Sequence, residues 1–196
     1  LVTELLMYFS DELVLSRLDA TALYSGIVVD TKNFAVQTGV RTFDAAAYLR
    51  RSGADPAMVR HLFRTDYETN IALSKAKAGS ELYPGGLIVA TCPDTIPNIQ
   101  TIAAQTADSL LRIENVRMSL VIFQLTADTV GISARSTGEI NVQVIMEEFH
   151  GGGHQNVAGA QIKNESLAEV KQRAIEISQK YIEENDEDES NLTAGR

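Results

Sequence analysis

A single cysteine, Cys92, stands in 196 residues, so an internal disulfide framework is excluded and a reducing compartment is expected. Cys92 reads as a small buried hydrophobe at a strand end. No apolar run approaches the roughly 18 residues of a spanning helix, and no basic start leads into an apolar stretch of signal-peptide form. The expectation is a soluble, cytoplasmic portion with no direct membrane contact. Cations are scarce as well. Seventeen Lys and Arg face 26 Asp and Glu, a net charge of −9. That argues against a binder of duplex nucleic acid, because such proteins gather cations to release counterions from phosphate. Six carboxylates against Arg196 crowd the segment from Glu183 onward, so the remainder is only mildly acidic and the last residues, 185–196, read as a disordered, solvated tail. Internal repeats are absent.

What is present suits a globular α/β chain. With 44% hydrophobic residues there is apolar material for one or two cores. Asp55-Pro56 opens a helix with a capping aspartate and proline at the first helical position. Another helix is expected from Asp66 to Ala78, stopped by Gly79, and the Pro84-Gly85-Gly86 turn marks a domain boundary. Beyond it, strands and helices alternate. Leu87 to Thr91 is a strand, Ile99 to Ile113 a helix, Val116 to Leu125 and Thr129 to Ala134 strands, and Ile140 to Phe149 a helix. A glycine loop then leads to a strand at Ala160-Gln161-Ile162. Ser166-Leu167-Ala168-Glu169 is a capping box that opens a long last helix to about Glu184. The order βαββαβα predicts a mixed sheet covered by helices.

Two short stretches carry chemistry. Gly151-Gly152-Gly153-His154, continuing to Gly159, lacks the Cβ atoms that keep backbone N–H groups away from an anion, and His154 adds a donor. Ser133-Ala134-Arg135-Ser136 ends a strand with a guanidinium fork that matches phosphate oxygens. Together they resemble the substrate-binding DHHA1 domain of the DHH phosphoesterase superfamily. Upstream, Gly26-Ile27-Val28-Val29-Asp30-Thr31-Lys32-Asn33-Phe34 resembles the last metal-ligand motif of the catalytic DHH domain, in the form used by cyclic-di-AMP phosphodiesterases of the GdpP type. The β-branched run Ala22 to Val29, read alone, is a buried strand. The resemblance implies a helix there, and the helix is the reading taken.

The resemblance implies a layout as well. Residues 1–84 would be the carboxy-terminal, helical part of a DHH domain and residues 85–184 a DHHA1 domain. Asp30 would be a ligand of a two-ion Mn²⁺ site, and Ser133, Arg135, Gly151, Gly152, Gly153 and His154 would hold a cyclic or short linear dinucleotide. The early histidine, Asp-x-Asp and Asp-His-His motifs of a complete metal site are not in this sequence. The chain therefore reads as a carboxy-terminal portion that is inactive by itself, from a parent anchored in the cell membrane and acting in bacterial second-messenger signalling. A homodimer is left open. Alternatives are a nano-oligoribonuclease or adenosine bisphosphate phosphatase of the same superfamily, and a nucleotide-binding module without catalysis.

Overall fold

The computed structural model describes residues 1–9, 13–92, 94 and 96–194, with side chains to residue 187. The chain divides into two compact units, Leu1–Thr65 and Asp66–Arg196.

The first unit is helical: α1 (Val2–Phe9), α2 (Arg17–Asp30), α3 (Val40–Arg51) and α4 (Pro56–Leu62). Its small core gathers Ala20, Leu49 and Ala54 with Leu23, Tyr24 and Ile27 around them. Side chains cap two of the helices, at Asp55 as the sequence predicts and at Ser16 in addition. The Ser16 hydroxyl accepts from the Asp19 N–H at 3.1 Å, and the Asp55 carboxylate accepts from the Ala57 N–H at 2.8 Å, each satisfying a helix-end donor that has no partner within the helix. Arg17 ties α2 to α4 through Asp55 at 2.7 Å. Residues Ala22 to Val29 lie inside α2. Leu23, Tyr24 and Ile27 pack from this helix against the small core, tertiary context overrides β-branched propensity, and the helical reading holds.

The second unit starts with α5 (Tyr67–Ala78), capped by Asp66, and contains β1 (Glu81–Tyr83), β2 (Leu87–Cys92), α6 (Ile99–Leu110), β3 (Met118–Thr126), β4 (Thr129–Ser136), α7 (Val142–Glu147), β5 (Gly152–His154), β6 (Val157–Lys163) and α8 (Leu167–Ala194). The compact unit thus begins ahead of the Pro84 turn, because Ala76 of α5 joins the core that α6 builds on the sheet. Six strands run in the order β1-β2-β3-β4-β6-β5, with β2 and β3 parallel and the other neighbours antiparallel. A parallel pair needs a crossover, and α6 is that crossover. The sheet is mixed, as the sequence predicts. Two short strands, β1 and β5, are additions to the expected order.

Alternation along the strands sorts side chains to two faces. Leu87, Val89, Leu120, Ile122, Val130, Ile132, Ala158 and Ala160 pack with Val142, Ile145 and Met146 of α7 and Val170 and Ala174 of α8. Ile88, Ala90, Val121 and Phe123 pack with Ile99, Ala103, Ala107 and Leu110 of α6 on the other. Gly131 makes the second face possible: a Cβ there would lie 2.2 Å from the Phe123 ring, which crosses the strand at that point. The last helix runs to Ala194, past the end expected near Glu184. Arg117 holds its acidic portion, donating to both carboxylate oxygens of Asp186 at 2.9 and 2.7 Å and to Glu139 at 2.7 Å. A charged segment read as solvated tail is helical here, and a bidentate pair ties its start to Arg117.

Candidate functional site

Strand register brings the predicted residues together. Ser133 of β4 pairs with Gly159 of β6, which pairs with Gly152 of β5; one step along, Arg135 pairs with Val157, which pairs with His154. All six lie on the α6 face of the sheet by alternation. They form two parallel rows. Gly152 and His154 are exposed and Val157 is 44% exposed, so this end of the face is open where α6 stops covering it.

Arg135 is drawn flat along this surface. Its Nη1 donates to the Ser133 hydroxyl at 3.1 Å and to the Ala134 carbonyl at 2.9 Å, and its Nε lies 3.3 Å from the Asp108 carboxylate of α6. The side chain is only 11% exposed. Ser133 is buried too. The two polar groups are thus pre-positioned by each other and by α6, which lowers the entropy a bound anion would otherwise have to remove.

The expected glycine loop is an edge strand, and its three glycines differ in what they do. Gly151 donates its N–H to the Met146 carbonyl at 2.9 Å. A Cβ on it would lie 2.3 Å from the Gly159 carbonyl oxygen, so glycine is required for close approach to β6. Gly153 sits at φ +152°, and a Cβ there would be 2.4 Å from the Val157 oxygen. Gly152 has nothing within 4 Å of its Cβ position. It faces open space, while its neighbours approach β6 closely. His150, at φ +56°, turns the chain out of α7 into this strand.

A concavity of about 440 Å³ adjoins these rows, lined by Gln100, Phe123, Ile132, His150, Gly151, Gly152, Gly159, Ala160 and Gln161. Gln100, Gln161 and His150 were not among the residues singled out in the sequence. Gln161 was legible in principle, since it is two residues beyond Gly159 and alternation puts both on one face. Gln100 was not, because only the crossover of α6 delivers it. A larger concavity of about 620 Å³ lies between α5 and α6 and contains none of the motif residues. Cys92 lines it. Burial, with the Asp94 carboxylate adding to it, pushes that thiol above its ordinary value, which fits the packed, unreactive cysteine expected from the sequence.

In the first unit, Asp30 is the last residue of α2 and is exposed. The turn after it is unusual. Lys32, Asn33 and Phe34 take φ of 46°, 63° and 64°, three consecutive non-glycine residues in the left-handed region, each costing about 1–2 kcal/mol. Buried Thr31 holds the turn: its hydroxyl donates to the Ile27 carbonyl at 2.7 Å and accepts from the Phe34 N–H at 2.9 Å. Phe34 stacks on Phe43 with centroids 5.6 Å apart. Strain held this firmly is a mark of functional turns. Among the described residues no group of three or more His, Cys, Asp or Glu could hold a metal ion. Asp30 alone does not fit a two-ion site, since such cations need several carboxylates or imidazoles to displace their water.

Residues 86–184 match the model of the DHHA1 domain. The chain belongs to the DHHA1 family. It is 45% identical over 181 residues to the cyclic-di-AMP phosphodiesterase PdeA of Listeria monocytogenes, covering 92% of this chain and 28% of that protein. It is 41% identical over 185 residues to the cyclic-di-AMP phosphodiesterase GdpP of Bacillus subtilis, covering 93% of this chain and again 28% of that protein. The chain therefore spans little more than a quarter of these relatives. An exopolyphosphatase-related protein of Bacteroides fragilis has the same fold, with a TM-score of 0.78 at 19% identity, over 87% of this chain and 52% of that one. The matched DHHA1 residues contain the Ser133 and Arg135 rows and the whole glycine hairpin. Among the described residues no helix is long and apolar enough to cross a membrane.

Proposed function

We propose that this chain is the substrate-holding, carboxy-terminal part of a phosphodiesterase that hydrolyses cyclic-di-AMP to linear pApA. The observation that carries the reading is the register of β4, β6 and β5, which aligns Ser133 with Gly152 and Arg135 with His154 on one face, open at Gly152 and His154. It belongs to a DHHA1 chain whose relatives at 41–45% identity are cyclic-di-AMP phosphodiesterases. An anion on that face meets the Arg135 guanidinium and the Ser133 hydroxyl, with His154 beside them. The bare Gly152 position admits a phosphate or ribose without a clash.

In the reaction a water oxygen bonds to phosphorus, the phosphorus–O3′ bond breaks, and the water's proton ends on the departing 3′ oxygen. This chain's residues do the holding. Arg135 and Ser133 neutralise and orient phosphate oxygens, which is worth more on a surface partly shielded from water than in bulk. Mn²⁺ would supply the activated water in the complete protein, where Asp30 would give one carboxylate and residues outside this chain the rest. The chain by itself lacks the donor set, so it binds and does not cut. We place it on the cytoplasmic side of a membrane-anchored parent.

Calorimetric titration of the chain with cyclic-di-AMP, repeated with Arg135→Ala, tests the reading. Binding that weakens by about 1.5–3 kcal/mol in the variant, as for loss of a charge-assisted contact, is expected. Equal affinity in both proteins would remove Arg135 from the site and the reading with it.

A further inference from the structure

The concavity beside the phosphate-holding rows carries two carboxamides that the proposed chemistry does not use. Gln161 stands on β6, opposite Gly131 in register and two residues from Gly159. Gln100 stands in the first turn of α6. Both are exposed, and both line the same concavity of about 440 Å³, a volume within the roughly 300–1,000 Å³ of small-ligand sites. Neither side chain has a hydrogen-bond partner among the described residues. Phe123, whose ring lies over Gly131, closes the concavity towards the sheet. No Lys or Arg is among its lining residues.

We infer that this concavity is a nucleobase subsite, with Gln100 and Gln161 reading the amino edge of an adenine. A carboxamide presents one donor and one acceptor side by side in a plane. The adenine edge of N6–H and its neighbouring ring nitrogen is the matching pair. The two-acceptor edge of guanine, O6 and N7, is served best by a guanidinium or ammonium, which this lining lacks. Contiguity with Gly152 and Gly159 puts the base next to the position where the phosphate is held. The inference rests on the dinucleotide reading above and adds to it the residues that select the base.

The test uses the whole chain and two probes in calorimetric titrations: linear pApA, and the same dinucleotide built with unsubstituted purine, which lacks the 6-amino groups. The wild-type chain is expected to bind pApA about tenfold more tightly than the purine probe, a typical discrimination for one bidentate pair. Gln100→Ala/Gln161→Ala is expected to lose that preference, weakening pApA more than the purine probe, which offers a carboxamide only its ring-nitrogen acceptor. Arg135→Ala is expected to weaken both probes alike. Equal binding of the two probes by wild type, or an undiminished preference in the double variant, overturns the base subsite and leaves the phosphate reading standing if Arg135→Ala still weakens both. Failure of wild type to bind either probe, or indifference of both to Arg135→Ala, overturns the phosphate reading and the subsite together. Circular dichroism of the double variant separates loss of preference from loss of fold.

Discussion

Alanine at two adjacent glycines separates fold from function. At Gly151 the new methyl would lie 2.3 Å from the Gly159 carbonyl oxygen and 2.6 Å from the Ala160 Cβ. Neither neighbour is the free end of a flexible side chain, so β5 and β6 must move apart. Overpacking of that kind costs about 1–3 kcal/mol. At about 2–4 °C per kcal/mol for a chain of this size, the melting temperature should fall by roughly 3–10 °C. At Gly152 the same methyl meets nothing within 4 Å, and stability should stay within about 0.5 kcal/mol of wild type. The methyl would, however, project into the space proposed for the ligand and weaken pApA binding by about 1–2 kcal/mol, near tenfold. Thermal unfolding followed by circular dichroism and titration with pApA read the two effects apart. A Gly152→Ala protein that melts as low as Gly151→Ala, or that binds pApA as tightly as wild type, would refute the assignment of these glycines.

Other perturbations have defined outcomes. Arg135→Lys keeps the charge but cannot reach the Ser133 hydroxyl and the Ala134 carbonyl while facing Asp108, so about a tenfold loss of cyclic-di-AMP affinity is expected; full retention in titrations would show that charge alone matters. Thr31→Val leaves the half-buried Phe34 N–H without its acceptor and should destabilise the first unit by about 1 kcal/mol, read as a lower denaturant midpoint; an unchanged midpoint would mean that the turn does not depend on the hydroxyl. The Arg117 guanidinium holds the Asp186 carboxyl below its usual range. Its contribution is therefore complete above the ordinary carboxylate pKa of about 4 and is lost as pH falls through the lower folded-state value. With Asp186 and Arg117 both partly exposed, the loss should be no more than about 1 kcal/mol. Asp186→Asn should flatten that part of the melting profile between pH 5 and 2, and an identical acid limb would contradict the pairing. Incubated with Mn²⁺ and cyclic-di-AMP, the chain should give no linear product by chromatography, and turnover would disprove the view that its metal ligands are incomplete.

Local signals with a physical cause were legible in the sequence. Capping at Asp55 and the Ser166–Glu169 box placed two helix starts, because a side-chain acceptor must lie next to the donors it satisfies. Short runs rich in β-branched and apolar residues placed β2, β3 and β4, because strands covered on both faces bury successive side chains. Longer-range effects were not legible. β5 is two glycines and a histidine, with no strand propensity, and is a strand because β6 offers it an edge. The acidic end pairs through Asp186 with Arg117, some 69 residues earlier, and α5 joins the second unit through its packing on α6. The candidate residues divided in the same way. Ser133, Arg135, Gly152 and His154 were named from motifs and lie on one face, whereas Gln100 reaches the adjoining concavity only through the crossover, and the close approach of Gly151 and Gly153 to β6 is not written in the motif.

The account's central claim is that the open face of β4, β6 and β5 holds a dinucleotide. Amide chemical shifts of the isotopically labelled chain, followed during titration with cyclic-di-AMP, test it most directly. The account predicts saturable shifts concentrated at Ser133, Arg135, Gly152, His154 and Gly159, with Lys75 and Thr91 of the larger α5–α6 concavity unmoved. Shifts confined to that other concavity, or none at all at millimolar ligand, would contradict it.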